Sequence, residues 1–166
     1  MDKLIGRHKE QSILKNCLES GRSEFVVIYG RRRIGKTFLV RRFFNDTYDF
    51  SFVGKHEMPR EQQLADFAKA LQRYSSSEFA PELKNWTQAF DSLARLLEAK
   101  DANRKKVIFF DEMPWMDTPK SDFVSSLENF WNGWAAMRDD IVFVACGSAT
   151  SWMIDSLLHN QGGLFN

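Results

Sequence analysis

The sequence has 166 residues and a mass of 19.3 kDa, which is about the size of one domain. Hydrophobic residues make up 43% and charged residues 27%, which excludes disordered and collagen-like chains. No apolar run approaches the roughly 20 residues that cross a bilayer, and the N-terminus lacks a secretory signal. We therefore expect a folded cytoplasmic protein without a membrane partner.

The basic residues are concentrated near the N-terminus. Residues 1–45 contain 11 Lys and Arg against 4 Asp and Glu, whereas residues 46–166 contain 12 against 18. A local positive field suits a phosphate-bearing ligand or a nucleic acid, and charge alone does not separate the two. The apolar surroundings of Cys17 and Cys146 favour buried, reduced thiols, and the scattered histidines predict no zinc site.

Apolar periodicity predicts alternating helices and strands in the first half of the chain. Apolar residues at helical spacing predict the first helix, and a continuous apolar run ending in Tyr29 predicts a strand buried on both faces. Pro59 fits the first turn of a later helix. The predicted elements are a helix over 7–20, a strand over 25–29, a helix over 36–44, a strand over 50–53 and a helix over 59–74.

The second half continues the same alternation. Three tryptophans, Trp86, Trp131 and Trp134, fall on helix faces that we expect to point inward, whereas Trp115 and Trp152 follow strands. Apolar strands alternating with helices predict an α/β fold, in which a parallel sheet is covered by helices on both sides. The predicted elements are a helix over 86–97, a strand over 107–110, a helix over 121–137, a strand over 141–146 and a short helix ending near 158.

A glycine-rich segment lies between the first strand and the second helix. It has the pattern G-x-x-x-x-G-K-[ST], the Walker A phosphate loop, in which backbone N–H groups and a helix N-terminus contact phosphates. Lys36 is expected to reach the β- and γ-phosphates and Thr37 to ligate Mg²⁺. The predicted nucleotide-binding residues are Gly30, Arg31, Arg32, Arg33, Ile34, Gly35, Lys36, Thr37 and Phe38.

Two further strands end in polar residues that we expect at the same edge of the sheet. Asp111 follows the apolar run Val107–Phe110, as in a Walker B segment, and is predicted to hold Mg²⁺, while Glu112 is predicted to polarise the attacking water. Ser148 follows the last strand. It suits either a contact with the γ-phosphate or lytic water, or a helix N-cap, and the sequence favours neither.

Four segments together resemble the AAA+/STAND-type P-loop ATPases, in particular the prokaryotic proteins called the archaeal ATPase family. The resemblance implies a three-layer α/β/α fold with strand order 5-1-4-3-2, and ATP and Mg²⁺ as ligands. It also implies that Ile5, Gly6 and Arg7 lie beside the adenine, although Arg7 also suits an exposed helix start. The segments are Ile5-Gly6-Arg7 with Glu10, then GRRRIGKT, VIFFDEMPW and VACGSATSWM.

The same resemblance implies that similar proteins continue beyond this sequence. We expect residues 1–166 to form a single P-loop ATPase domain that lacks a fifth strand and a C-terminal lid or effector domain. An arginine from the lid or a neighbouring subunit normally stabilises phosphate charge, so self-association is one expectation. Arg138 is the candidate within the chain, but a charge interacting with a helix C-terminus is the favoured interpretation of that residue.

The sequence thus predicts an ATPase whose Mg²⁺-dependent hydrolysis drives a conformational change. A small-molecule kinase is disfavoured by Glu112, and GTP by the lack of a guanine-reading segment. The alternative is a nucleotide-gated interaction module, or a DNA-associated regulator, with little hydrolysis of its own. Direct DNA binding is disfavoured, because Arg31–Arg33 belong to the phosphate loop and Arg104–Lys106 are expected to form a solvated turn.

Overall fold

The computed structural model describes residues 8–31 and 35–158. Short 3₁₀ helices cover Met113–Met116 and Ala135–Met137, and a π-helical turn covers Met153–Leu158. The strands are β1 (Glu24–Tyr29), β2 (Phe50–Val53), β3 (Lys106–Asp111) and β4 (Ile141–Gly147). The α-helices are α1 (His8–Glu19), α2 (Lys36–Phe43), α3 (Arg60–Ser75), α4 (Trp86–Glu98), α5 (Phe123–Gly133) and α6 (Thr150–Trp152).

The four strands form one parallel sheet in the order β1-β4-β3-β2. This is the predicted order 5-1-4-3-2 without strand 5, and it confirms the α/β class. β1 and β2 are the outer strands, and every residue of β3 and β4 is buried. Because the strands are parallel, all of their carboxyl ends lie at one edge.

Two apolar layers cover the two faces of the sheet. Alternate residues of β3 face opposite sides: Ile108 and Phe110 pack with α3, α4 and α5, while Val107 and Phe109 pack with α1 and α2. This alternation is the period of two that a strand imposes. The fold is therefore three-layered, as predicted. Among the described helices, none combines the length and the apolar character needed to span a bilayer.

The basic run Arg104–Lys106 is not a solvated turn, so that prediction was wrong. Arg104 forms a bidentate pair with the buried carboxylate of Asp49, at 3.0 and 2.6 Å. The Lys105 amine donates to the carbonyl of Cys17, in the last turn of α1, and to that of Arg22, which follows the helix, each at 2.6 Å. Each cation therefore joins the start of β3 to another element.

Lys106, the third residue of the run, is fully buried. Its amine donates to Oδ2 of Asp140 at 2.7 Å, immediately before β4 begins. Arg138 donates to both oxygens of the same carboxylate at 2.9 Å. These pairs lie at the amino ends of β3 and β4, opposite the edge that carries the predicted site.

The helix predicted over 121–137 is shorter in the structure. It begins at Phe123 and ends at Gly133, where Trp134 leaves helical geometry with φ −134° and ψ −63°. Glycine is a poor helix former, and the Trp134 indole instead donates to Glu98 at 2.7 Å, outside the core. Trp86 and Trp131 are buried as predicted, whereas Trp134 is only partly buried.

Replacing Asp140 tests the ion pairs at the amino ends of the strands. Asp140→Ala leaves the buried Lys106 amine without its carboxylate, so the free energy of unfolding at pH 7 is expected to fall by about 3–5 kcal/mol. Urea titration followed by circular dichroism measures this loss. Asp139→Ala is the control, because Asp139 is exposed.

The pH dependence of that loss has a defined sign. The Arg138 guanidinium lowers the pKa of Asp140 from 3.8 to about 2. The carboxylate therefore stabilises the fold above pH 3.8, and this contribution disappears as the pH falls through about 2. The difference between wild type and Asp140→Ala should shrink over that range. An equal loss in Asp139→Ala would contradict the assignment.

Candidate nucleotide-binding site

The carboxyl ends of the strands bring the predicted site residues to one edge of the sheet. Gly30 follows β1, Asp111 ends β3 and Ser148 follows β4. Gly54, which the sequence did not single out, follows β2. Gly54 follows an apolar run, as Gly30 does, and this position in the sequence could have indicated a residue of the site. Arg32, Arg33, Ile34, Ile5, Gly6 and Arg7 lie outside the described residues.

The phosphate loop places Lys36 at the first residue of α2. Gly35 precedes it with φ 83°, a left-handed conformation that glycine adopts without steric cost. The Lys36 amine donates to the carbonyls of Gly30 at 2.8 Å and Arg31 at 2.6 Å, and the residue is 7% exposed. The lysine side chain thus reaches back to the residues that directly follow β1, where its charge lies beside two backbone acceptors.

Thr37 and Asp111 meet between α2 and the end of β3. The Thr37 hydroxyl donates to Oδ2 of Asp111 at 2.8 Å, although the two residues are 74 positions apart. Burial raises the pKa of Asp111, while the Thr37 hydroxyl and the Glu112 N–H oppose that rise. A hydroxyl and a carboxylate side by side are the hard oxygen donors that Mg²⁺ prefers, so these residues fit a magnesium ion.

Glu112 follows Asp111 in a strained conformation. Its φ of 50° and ψ of 42° are left-handed, which is uncommon for a residue other than glycine, asparagine or aspartate. Its backbone N–H donates to Oδ1 of Asp111 at 2.9 Å, and the 3₁₀ helix Met113–Met116 starts immediately after it. The turn directs the chain away from β3 directly after the predicted magnesium ligand.

The neighbouring strand ends pack tightly around this turn. A Cβ on Gly54 would lie 2.3 Å from the Glu112 carbonyl oxygen, and the Gly54 N–H donates to the Asp111 carbonyl at 2.9 Å. A Cβ on Gly147 would lie 2.6 Å from the ring of Pro114. Glycines at the ends of β2 and β4 therefore make room for the segment that carries Glu112.

Ser148 lies partly exposed after β4. It is not the N-cap of the following helix, because Ala149 takes that position and no side chain caps it. The indole of Trp152 in α6 donates to Asp117 at 2.8 Å, just beyond the 3₁₀ helix. The loops after β3 and β4 are thus joined beside the site.

Arg138 and Arg42 make their contacts away from the Thr37 and Asp111 pair. Arg138 lies over the ring of Trp134 at 4.9 Å and pairs with Asp140 at the opposite edge, so it does not face the phosphate loop. Arg42 lies 5.9 Å from the ring of Phe38, which is 42% exposed on α2. Neither arginine reaches the Thr37 and Asp111 pair.

The chain belongs to the family described as "ATPase domain predominantly from Archaea", whose pattern it matches over residues 4–164. It is 30% identical over 115 residues to the uncharacterized protein MJECL04 of Methanocaldococcus jannaschii. That match covers 66% of this chain and 22% of the relative. The family assignment confirms the resemblance that the four sequence segments indicated.

Solved structures share the fold at low sequence identity. The Walker-type ATPase PABY2304 of Pyrococcus abyssi has a TM-score of 0.63 and 19% identity, over 93% of this chain and 48% of that one. Cdc6p of Pyrobaculum aerophilum gives 0.59 and 15%, over 93% and 42%. The ORC2 protein of Aeropyrum pernix gives 0.58 and 18%, over 96% and 45%. The chain therefore spans less than half the length of these proteins.

Adding a methyl group at Gly54 tests the packing around Glu112. Gly54→Ala is expected to lower the free energy of unfolding by about 1–3 kcal/mol, because its Cβ would overlap the Glu112 carbonyl. Gly133→Ala is the matched control, since no atom lies within 4 Å of its added Cβ and alanine favours the helix. Chemical unfolding of both variants checks this, and equal stabilities would contradict the close approach.

Proposed function

We propose that the chain binds ATP with Mg²⁺ and hydrolyses it. The observation that supports this most directly is the hydrogen bond from Thr37 to Asp111, which joins the phosphate loop to the acidic strand end. It brings together two oxygen groups that suit magnesium. Thr37 is adjacent to the loop lysine, Lys36, and Asp111 is adjacent to Glu112. The family of ATPase domains to which the chain belongs supports the same activity.

Each residue has a separate role in this proposal. The Lys36 amine leaves the loop carbonyls to contact the β- and γ-phosphates, and Glu112 accepts a proton from the attacking water. Thr37 and Asp111 hold Mg²⁺, which neutralises phosphate charge when bound. Ser148 contacts the γ-phosphate or the water. The remaining phosphate-loop residues are Gly30, Arg31, Arg32, Arg33, Ile34, Gly35 and Phe38.

We assign the adenine to the start of the chain. Ile5, Gly6 and Arg7 directly precede α1, and the N-terminal half of α1 lines an apolar groove of about 260 Å³. The groove lies between α1 and β1, and Lys36 is one of its lining residues. An apolar surface that begins at the phosphate-binding lysine suits a purine base.

A conformational response is the proposed output. The contact of Pro114 with Gly147 and the bond from Trp152 to Asp117 join the loops after β3 and β4. A displacement of Glu112 by nucleotide would therefore be passed to α6. We expect a lid or effector region, or a second copy of the chain, to receive that movement, and we place the reaction in the cytoplasm.

A second candidate is a nucleotide-gated interaction module with little hydrolysis of its own. The position of Arg138 favours it, since this arginine is paired at the opposite edge and does not stabilise phosphate charge. The DNA-associated form of this candidate has less support, because Arg104, Lys105 and Lys106 are bound within the protein.

Nucleotide binding is tested by replacing the loop lysine. Lys36→Ala should weaken binding of Mg-ATP by about 10- to 100-fold, the loss expected for hydrogen bonds to a charged group. Calorimetric titration with Mg-ATP and Mg-GTP measures this, and ATP should bind more tightly than GTP. Lys15→Ala, an exposed change on α1, is the control. Equal affinity in all three proteins would reject the nucleotide site.

Hydrolysis is tested at Glu112. Glu112→Gln should keep the affinity for Mg-ATP but lower turnover by about 10²- to 10⁴-fold, the usual contribution of a general base. Glu57→Gln is a matched control, because Glu57 is exposed and has the same left-handed backbone, with φ 55°. Phosphate release over time measures turnover. Tight ATP binding without turnover in the wild type would favour the second candidate.

A further inference from the structure

Gln63 is a fully buried polar residue on α3, and its amide reaches the segment that follows Glu112. Its Nε2 donates to the Trp115 carbonyl at 2.5 Å and to the Met58 carbonyl at 3.0 Å. Trp115 belongs to the 3₁₀ helix, and Met58 belongs to the loop between β2 and α3. One side chain therefore ties together the loops that follow two adjacent strands.

The bonds continue from Gln63 to the backbone of Glu112. The Trp115 N–H donates to the Glu112 carbonyl at 3.2 Å, while Gly54 lies against the same carbonyl oxygen. Glu112 has left-handed dihedral angles, a conformation that costs energy in a residue with a Cβ and that neighbouring contacts can offset. The Gln63 amide is one of the groups that hold the turn in this form.

Burying a glutamine at this position is energetically unfavourable. Its Oε1 is buried and has no hydrogen-bond partner among the described residues, and an unpaired buried acceptor destabilises a fold. Both groups that Nε2 contacts are carbonyl oxygens, so exchanging the two ends of the amide would remove both bonds. The stabilisation by this residue therefore comes from its Nε2 donor, which bonds to the carbonyls of Trp115 and Met58.

We propose that Gln63 is a positioning residue for the Glu112 carboxylate. The proposal rests on the proposed hydrolysis, in which Glu112 accepts a proton from water. Gln63 does not contact the nucleotide in this arrangement; it fixes the turn from which Glu112 projects. Its loss should therefore affect the chemical step and leave nucleotide binding by Lys36 and Thr37 intact.

The test is Gln63→Met, which keeps the length of the side chain and removes the donor. We expect kcat to fall by about 10- to 100-fold, as for other residues that orient a catalytic group, with KM and the Kd for Mg-ATP within twofold of wild type. Gln62→Met is the matched control, because Gln62 is the adjacent exposed residue of α3. An unchanged kcat, or parallel losses of kcat and affinity, would overturn the proposal.

A second measurement separates this proposal from the proposed function. Hydrogen exchange at the Trp115 and Asp117 amides, which are bonded to the Glu112 and Pro114 carbonyls, should accelerate about tenfold in Gln63→Met, while α2 stays unchanged. This readout needs no turnover, so it tests whether Gln63 holds the Glu112 turn even if the wild type fails to hydrolyse ATP. Unchanged exchange would overturn the proposal.

Gln63→Asn covers the case in which the methionine variant unfolds. Asparagine keeps the amide but is one methylene shorter, so we expect it to bond to only one of the Trp115 and Met58 carbonyls. An intermediate kcat and intermediate exchange at Trp115 are expected, with thermal melting confirming the fold. Faster exchange at Trp115 together with wild-type kcat in the folded variant would overturn the proposal, because the turn would then have loosened without affecting the chemical step.

Discussion

The parallel direction of the strands is the constraint on which the candidate site depends. Because β1, β4, β3 and β2 run the same way, the loops after them emerge at one edge, and residues far apart in sequence become neighbours. The hydrogen bond from Thr37 to Asp111 is the direct result. The opposite edge is held by ion pairs at the start of β3: Asp49 pairs with Arg104, just before the strand, and Asp140 pairs with Lys106, its first residue. One edge thus supplies stability and the other is left for polar chemistry.

The parts of the structure that the sequence predicted are those whose signal is local. Continuous apolar runs give the strands, since both faces of the sheet are covered, and the pattern around Gly35 gives the start of α2 at Lys36. The run Arg104–Lys106 was misjudged because its partners lie elsewhere: Asp49 is 55 residues from Arg104, and Asp140 is 34 residues from Lys106. A charged run gives no indication of such pairs until the chain is folded.

The surroundings of Glu112 also combine a feature that the local sequence predicts with features that depend on distant residues. Its place after Asp111 follows from the pattern of the strand end, but its left-handed backbone does not. Around it, Gly54 leaves room for the Glu112 carbonyl, and Gln63 bonds to the turn from a different helix. A buried glutamine on an otherwise apolar helix face is a weak signal, because sequence alone does not show which carbonyls it meets.

The bonds of Lys36 have a consequence for how tightly any phosphate is held. Two of the three N–H donors of the lysine are already bonded to the carbonyls of Gly30 and Arg31, so a phosphate that takes more than one donor competes with the protein for them. Binding is then an exchange of acceptors around a single ammonium group, and the affinity is the difference between two sets of bonds. In the proposed ATPase, the backbone before α2 would compete with the phosphates for the lysine, which would favour release as well as capture.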